Sequence, residues 1–202
     1  MIDNRLHWST HINYINGKLR KIIYAFYQLR GILNVTEIKI VYFAFVQSIL
    51  EHGIIAWGCA FKSILNKLFI TQKSIIKAGI GRERRYPTDA LFNEFKVFDI
   101  RQLYIRTLAT YIFKHSHEHF EKVSHEYPTR SAMGSAGIRV PKLVKTFSMT
   151  NSSYIAHHLY KNLPDNLRDL TCSPSTCKIK LKKWIKELGR ESTEMLISSI
   201  YR

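Results

Sequence analysis

Apolar residues recur along most of this chain at alternating spacings of three and four residues, which is the period of a helix. The first such run consists of Ile12, Ile15, Leu19, Ile22, Phe26 and Leu29. Because an α-helix has about 3.6 residues per turn, this spacing places the side chains on one face of a helix. That helix is expected to end near Gly31.

The same pattern predicts three further helices up to Ile112. The second is expected to begin at Thr36 as its N-cap and, being apolar almost all round, to lie at the centre of the fold. A third amphipathic segment begins at Ile64 and is closed by the glycines at 79 and 81. Asp99 is placed to cap a long fourth helix.

The helical period is lost between Ser124 and Phe147, where prolines and glycines are frequent, and this indicates a loop or linker. Helical patterning returns from Ser152 to Asn162 and resumes at Ser175. The chain is therefore predicted to be all-α. Its expected parts are a helical bundle at 1–122, a loop-rich linker at 123–147 and a smaller basic helical region at 148–202.

The charge of the chain points to a polyanionic partner. Lys and Arg number 31 against 15 Asp and Glu, a formal net charge of +16. Such an excess attracts nucleic acid most often and an anionic membrane surface sometimes. The longest apolar run, Ile40 to Val46, is far shorter than the roughly 20 residues that span a bilayer. No membrane partner is expected.

The cysteines and the N-terminus bear on the compartment. Cys59, Cys172 and Cys177 are odd in number and do not form a disulfide framework for a chain of this length. The N-terminal residues are polar, so no secretory signal is expected. A cytoplasmic or nuclear location is the expectation.

The sequence offers little for catalysis or metal binding. Two-metal nucleotidyl transfer needs converging carboxylates, and no two acidic residues are adjacent in this chain. His115, His117 and His119, with Cys172 and Cys177 downstream, do not have the spacing of a zinc site. A nucleophile elbow, a P-loop and a dinucleotide fingerprint are also missing. No catalytic residue, metal or cofactor is therefore predicted.

The strongest functional signal is a run of cations near the C-terminus. The segment from Lys178 to Arg190 has six cations against one anion, a net charge of +5 in thirteen residues. The cations are Lys178, Lys180, Lys182, Lys183, Lys186 and Arg190. On a helix, Leu181, Trp184, Ile185 and Leu188 would pack inward while most of the lysines face a phosphate backbone. An ordinary solvated helix face is the alternative.

A second, smaller basic candidate lies in a predicted loop. Arg82, Arg84 and Arg85 precede Tyr86, and arginine with tyrosine can bind phosphate and stack on bases. A basic loop with no function is the alternative here.

A series of short motifs runs in order along the whole chain. The first consists of Ile2, Asp3, Leu6, Trp8, His11 and Ile12, and the second of Ser48, Gly53, Ile54, Trp57 and Gly58. Next come Gln72 and Lys73, then Leu91, Phe92 and Glu94, then Leu103 and Tyr104. The last are His125, Tyr127, Thr129 and Arg130, followed by Asn162, Leu163 and Pro164. In this order they resemble the region after the palm in jockey-like non-LTR retrotransposon reverse transcriptases, although Lys77 stands where arginine is usual.

This resemblance implies a thumb-like bundle followed by a post-thumb region that engages template and primer or target nucleic acid. His125, Tyr127 and Arg130 become candidate nucleic-acid contacts, with attachment of the loop to the protein body as the alternative. The parent would be an RNA-directed DNA polymerase. Its palm domain, which carries the catalytic aspartates and Mg²⁺, would be the partner of this fragment, and the fragment alone is expected to be inactive. A decayed transposon remnant and a stand-alone basic helical nucleic-acid-binding protein remain alternatives.

Overall fold

The computed structural model describes residues 8–115, 152–168 and 174–200. Within these ranges 83% of the residues are helical and no strand occurs. The predicted all-α class is confirmed. None of the helices in the described ranges has the length and apolar character needed to cross a membrane.

The chain forms two compact units, Met1–Leu103 and Tyr104–Arg202. In the first, the helices are α1 (Ser9–Leu29), α2 (Val35–Val41), a π-helical segment (Tyr42–Gln47), α3 (Ser48–Glu51), α4 (Ile54–Trp57), α5 (Lys62–Ile80) and α6 (Thr88–Phe95). Helix α7 (Ile100–Lys114) begins in the first unit and continues into the second. The second unit also contains α8 (Ser152–Asn162), α9 (Asp165–Arg168) and α10 (Pro174–Ile200). The predicted boundary at 122 and the linker at 123–147 lie outside the described residues and stay predictions.

Helix α1 packs along α5, and the predicted apolar face makes this contact. Ile12, Ile15, Leu19 and Phe26 are buried on that face. At Gly79 of α5 the packing is so close that an added Cβ would lie 3.0 Å from the side chain of Phe26. The glycine therefore allows the close approach of the two helices.

Helix α2 begins two residues earlier than the sequence predicted. Its N-cap is Asn34, whose Oδ1 accepts hydrogen bonds from the backbone N–H groups of Thr36 (2.9 Å) and Glu37 (3.0 Å). Glu37 in turn accepts from the Asn34 N–H at 2.9 Å. This reciprocal capping box satisfies two amide donors, so the expectation of Thr36 as N-cap was wrong.

The expectation that the second helix lies at the centre of the fold was also wrong. Ile38, Tyr42 and Val46 are buried, but Ile40 is 65% exposed and Phe45 is 61% exposed. Helix α5 packs against α2 and covers only one side of it. The helix therefore presents an apolar surface to solvent.

Two predicted helix ends are confirmed. Gly81 adopts a left-handed conformation (φ 69°) just after α5, as a C-terminal glycine does. Asp99 caps α7, because its Oδ1 accepts from the Gln102 N–H at 2.9 Å while Gln102 Oε1 accepts from the Asp99 N–H at 3.2 Å.

His11 lies between two tryptophans at the start of α1. Its ring centroid is 6.0 Å from that of Trp8 and 6.2 Å from that of Trp57. Trp57 is buried and Trp8 is half-buried. Burial lowers the pKa of His11, because the charged imidazolium is poorly solvated there.

This lowered pKa predicts that the first unit loses stability in mild acid. The unfolded chain takes up a proton at His11 near the ordinary pKa of about 6.5, whereas the folded protein resists protonation. The stabilising contribution is thus present above that value and is lost as the pH falls below it. Urea unfolding at pH 7.5 and pH 5.5 measures the change, and His11→Phe should reduce it. An equal loss in the variant and in the unmodified protein would contradict the assignment to His11.

Candidate nucleic-acid interface

Helix α10 holds its lysines outward by burying the opposite face. Leu181 and Ile185 are buried, and this face packs on α8 and α9. Trp184 and Leu188 are half-buried. The predicted inward side is therefore confirmed for Leu181 and Ile185, whereas Trp184 is not a fully buried anchor.

All five predicted lysines of this helix are exposed; they are Lys178, Lys180, Lys182, Lys183 and Lys186. We call them the lysine surface. Helical geometry places Lys183 and Lys186 opposite Leu181 and Ile185, Lys180 and Lys182 about 100° to either side of Leu181, and Lys178 closest to the buried face. From Lys178 to Lys186 the helix rises by about 12 Å.

The lysine surface has little acidic compensation. Glu187 is the single acidic residue between 178 and 190. Its Oε1 lies 3.8 Å from Lys183 Nζ, and the two side chains are 64% and 79% exposed. An ion pair this long and this exposed contributes little, so the surface keeps its positive potential.

Gly189 ends the lysine surface. Its backbone (φ 72°, ψ 175°) is not helical and places a kink inside α10. Arg190 follows the kink and is half-buried. The sequence pattern had treated Lys178 to Arg190 as one straight helix face, and the kink separates Arg190 from it.

The loop between α5 and α6 contains Arg82, Arg84 and Arg85, and hydrogen bonds to Glu94 hold it in place. Arg82 Nε lies 3.1 Å from Glu94 Oε2, and the Tyr86 hydroxyl donates to the same oxygen at 2.9 Å. These hydrogen bonds lower the pKa of Glu94, so Glu94 stays ionised and keeps its ion pair with Arg82. Arg84 and Arg85 are exposed. Of this predicted candidate, Arg82 is engaged by Glu94, whereas Arg84 and Arg85 stay predicted contacts.

Other predicted candidates fall outside the described residues. His125, Tyr127 and Arg130 do so, and so do His117, His119 and Cys172. In the described ranges, no three His, Cys, Asp or Glu residues are grouped as metal ligands would be.

The cysteines differ in state. Cys177 is disulfide-bonded, a bond the sequence did not predict. Cys59 is a buried thiol whose pKa is raised by burial.

Three exposed tyrosines on α1 were not predicted as functional residues. Tyr14, Tyr24 and Tyr27 are 50%, 69% and 51% exposed. The sequence signal was their position off the apolar stripe, in a helix without any acidic residue.

The fold and these surfaces define an all-α protein with basic, solvent-exposed helix faces. No protein family, curated protein or solved structure matches the chain.

Proposed function

We propose that this chain binds nucleic acid and that the lysine surface of α10 is its principal contact. One observation carries the proposal: five exposed lysines lie on a single helix whose other face is pinned by buried Leu181 and Ile185. Phosphates neutralised by such a row release their condensed counterions, which favours binding. The formal net charge of +16 would draw any nucleic acid toward the protein.

We further propose that the chain corresponds to the thumb and post-thumb region of a non-LTR retrotransposon reverse transcriptase. The order of the motifs supports this, and the all-α fold is consistent with it. In that role it would hold the template and primer or the target DNA, while a palm domain supplies the Mg²⁺ and the catalytic aspartates. The isolated chain would then extend no primer.

A palm domain would need an apolar surface on which to pack. The exposed side chains of Ile40, Phe43 and Phe45 offer one on α2 and the π-helical segment. Neither alternative function involves a palm domain. A stand-alone basic nucleic-acid-binding protein would bind without a palm, and a decayed remnant would show little helix by circular dichroism.

The lysine surface is tested by the salt dependence of binding to a labelled 20-base-pair DNA duplex. Five phosphate contacts predict a slope of log affinity against log salt of roughly −4.5. Replacing Lys180, Lys182, Lys183 and Lys186 by glutamine should flatten this slope by about 3.6 and weaken all sequences alike.

A matched control separates the lysine surface from net charge. Lys62, Lys96, Lys114 and Lys161 are exposed and dispersed over other helices and helix ends. Replacing these four by glutamine removes the same charge and should change the slope far less. Equal flattening in both variants would show that only the total charge matters, and unchanged affinity in the α10 variant would show a solvated face.

A further inference from the structure

The solvent face of α1 combines exposed aromatic rings with cations. We call Tyr14, Lys18, Lys21, Tyr24 and Tyr27 the tyrosine face. Each of the three rings is at least half exposed, and Tyr24 reaches 69%. Rings as exposed as these add little to the core, so packing does not account for their position.

The surroundings of these rings are basic. No acidic residue occurs in α1, and Lys18, Arg20 and Lys21 are all exposed. Lys67 of α5 adds a further cation at the edge of the face, where its Nζ donates to Asn13 Oδ1 at 3.1 Å. A polyanion would therefore meet positive charge along the whole helix.

The cations and the rings also contact one another. Lys18 Nζ lies 4.5 Å from the centroid of the Tyr14 ring, and the Arg30 guanidinium carbon lies 4.4 Å from that of Tyr27. The Tyr24 hydroxyl accepts a hydrogen bond from Gln28 Nε2 at 2.8 Å, which restrains that ring. Restrained rings lose less conformational entropy when a ligand stacks on them.

We infer that the tyrosine face binds single-stranded nucleic acid, with unpaired bases stacked on Tyr24 and Tyr27 and phosphates held by Lys18 and Lys21. Aromatic rings beside cations are how proteins bind single strands, because every base has a π-face that can stack. Tyr14 and Tyr27 are separated along the helix by about 20 Å, roughly six stacked nucleotides. In a duplex the faces of the bases are already stacked on one another, so exposed rings would gain nothing from it.

A protein partner fits this face less well. Apart from Ala25, the exposed residues of α1 include no aliphatic side chain. The centre of a protein interface is depleted of charged residues, whereas here lysines alternate with the rings.

The inference rests on the proposed function only in taking nucleic acid as the partner, and the tyrosine face lies in a different unit from the lysine surface. The test therefore uses the full chain with the four α10 lysines already replaced by glutamine. Binding to a labelled twelve-nucleotide oligothymidine is compared with binding to a duplex of equal length. In this background, Tyr24→Ala with Tyr27→Ala should lower single-strand affinity at least about 5-fold per ring. The slope against salt should not change, because stacking releases no counterion.

Matched variants complete the experiment. Tyr24→Phe with Tyr27→Phe keeps the rings and should keep the affinity. Phe61→Ala removes an exposed ring that lies just before α5 and should have no effect. Lys18→Gln with Lys21→Gln should flatten the single-strand slope by about 1.4.

Several results would overturn the inference. Unchanged single-strand affinity in the alanine pair, or an equal loss for the duplex, would do so. The same holds if the alanine pair alters only the sedimentation mass, since the face would then join copies of the chain. If duplex binding depends on the α10 lysines while the tyrosine variants behave like the unmodified chain, only this inference fails. If the unmodified chain binds neither nucleic acid, the proposed function fails with it.

Discussion

Replacing Trp57 by alanine is expected to lower the free energy of unfolding of the first unit by about 3 to 5 kcal/mol. Trp57 is 1% exposed at the end of α4, and its indole N–H donates to the carbonyl of His52 at 3.0 Å. This hydrogen bond spans the left-handed Gly53 and holds the turn between α3 and α4. The truncation therefore leaves a cavity and an unsatisfied carbonyl group together.

Urea unfolding followed by circular dichroism measures this loss. Trp57→Phe should fall between alanine and the native residue, because it keeps most of the buried area and loses the hydrogen bond. Trp184→Ala is the matched control. Trp184 is half-buried on α10, so its removal should cost clearly less than a core tryptophan. A loss below about 1 kcal/mol for Trp57→Ala would show that the indole is not part of the core.

Periodicity predicted the helices well because it reports which side of each helix is apolar. The buried face of α1 and the outward lysines of α10 follow directly from it. Asp99 and Gly81 were recognised because the first N–H groups of a helix need acceptors and the residue after a helix often adopts a positive φ. It failed for α2, because an apolar side chain such as Ile40 is buried only where another element packs on it. Sequence spacing does not give that packing.

The candidate site was likewise predictable only in part from the sequence. The lysine surface could be predicted, but the kink that ends it could not, because a glycine such as Gly189 is compatible with both a helix and a positive φ. The tyrosine face was overlooked because tyrosine counts as apolar in a hydrophobic pattern. Its exposure depends on what covers α1. The sequence signals were the position of the tyrosines off the apolar stripe and the lack of acidic residues in the helix.

Gln72→Glu is expected to destabilise the first unit by about 3 kcal/mol or more at neutral pH. Gln72 is fully buried in α5, and its amide Nε2 donates to the Tyr42 hydroxyl oxygen at 2.8 Å and to the Phe98 carbonyl at 2.9 Å. It thereby joins α5 to the π-helical segment and to the turn before α7. Burial raises the pKa of Tyr42 well above its usual value, so its hydroxyl stays neutral. Tyr42 therefore offers no charge that could compensate a carboxylate at position 72.

The effect of this substitution should depend on pH. The introduced carboxyl would face the Phe98 carbonyl without a cation, and burial would raise its pKa in the folded state above the unfolded value of about 4.3. Below that value both states are protonated and the penalty is smallest. As the pH rises the unfolded state ionises first, so the penalty grows. Urea unfolding at pH 4 and pH 7.5, each compared with the native protein at the same pH, measures this difference.

Gln72→Met separates the charge from the lost hydrogen bonds. It keeps the length of the side chain and leaves the Phe98 carbonyl and the Tyr42 hydroxyl without their donor, which costs roughly 1 to 3 kcal/mol. Methionine has no titrating group, so its penalty should be the same at both pH values. If the glutamate variant were equally independent of pH, the position would be open to water or to a compensating cation. Gln72 would then make only peripheral hydrogen bonds. It would not be the buried residue that links α5, the π-helical segment and the turn before α7.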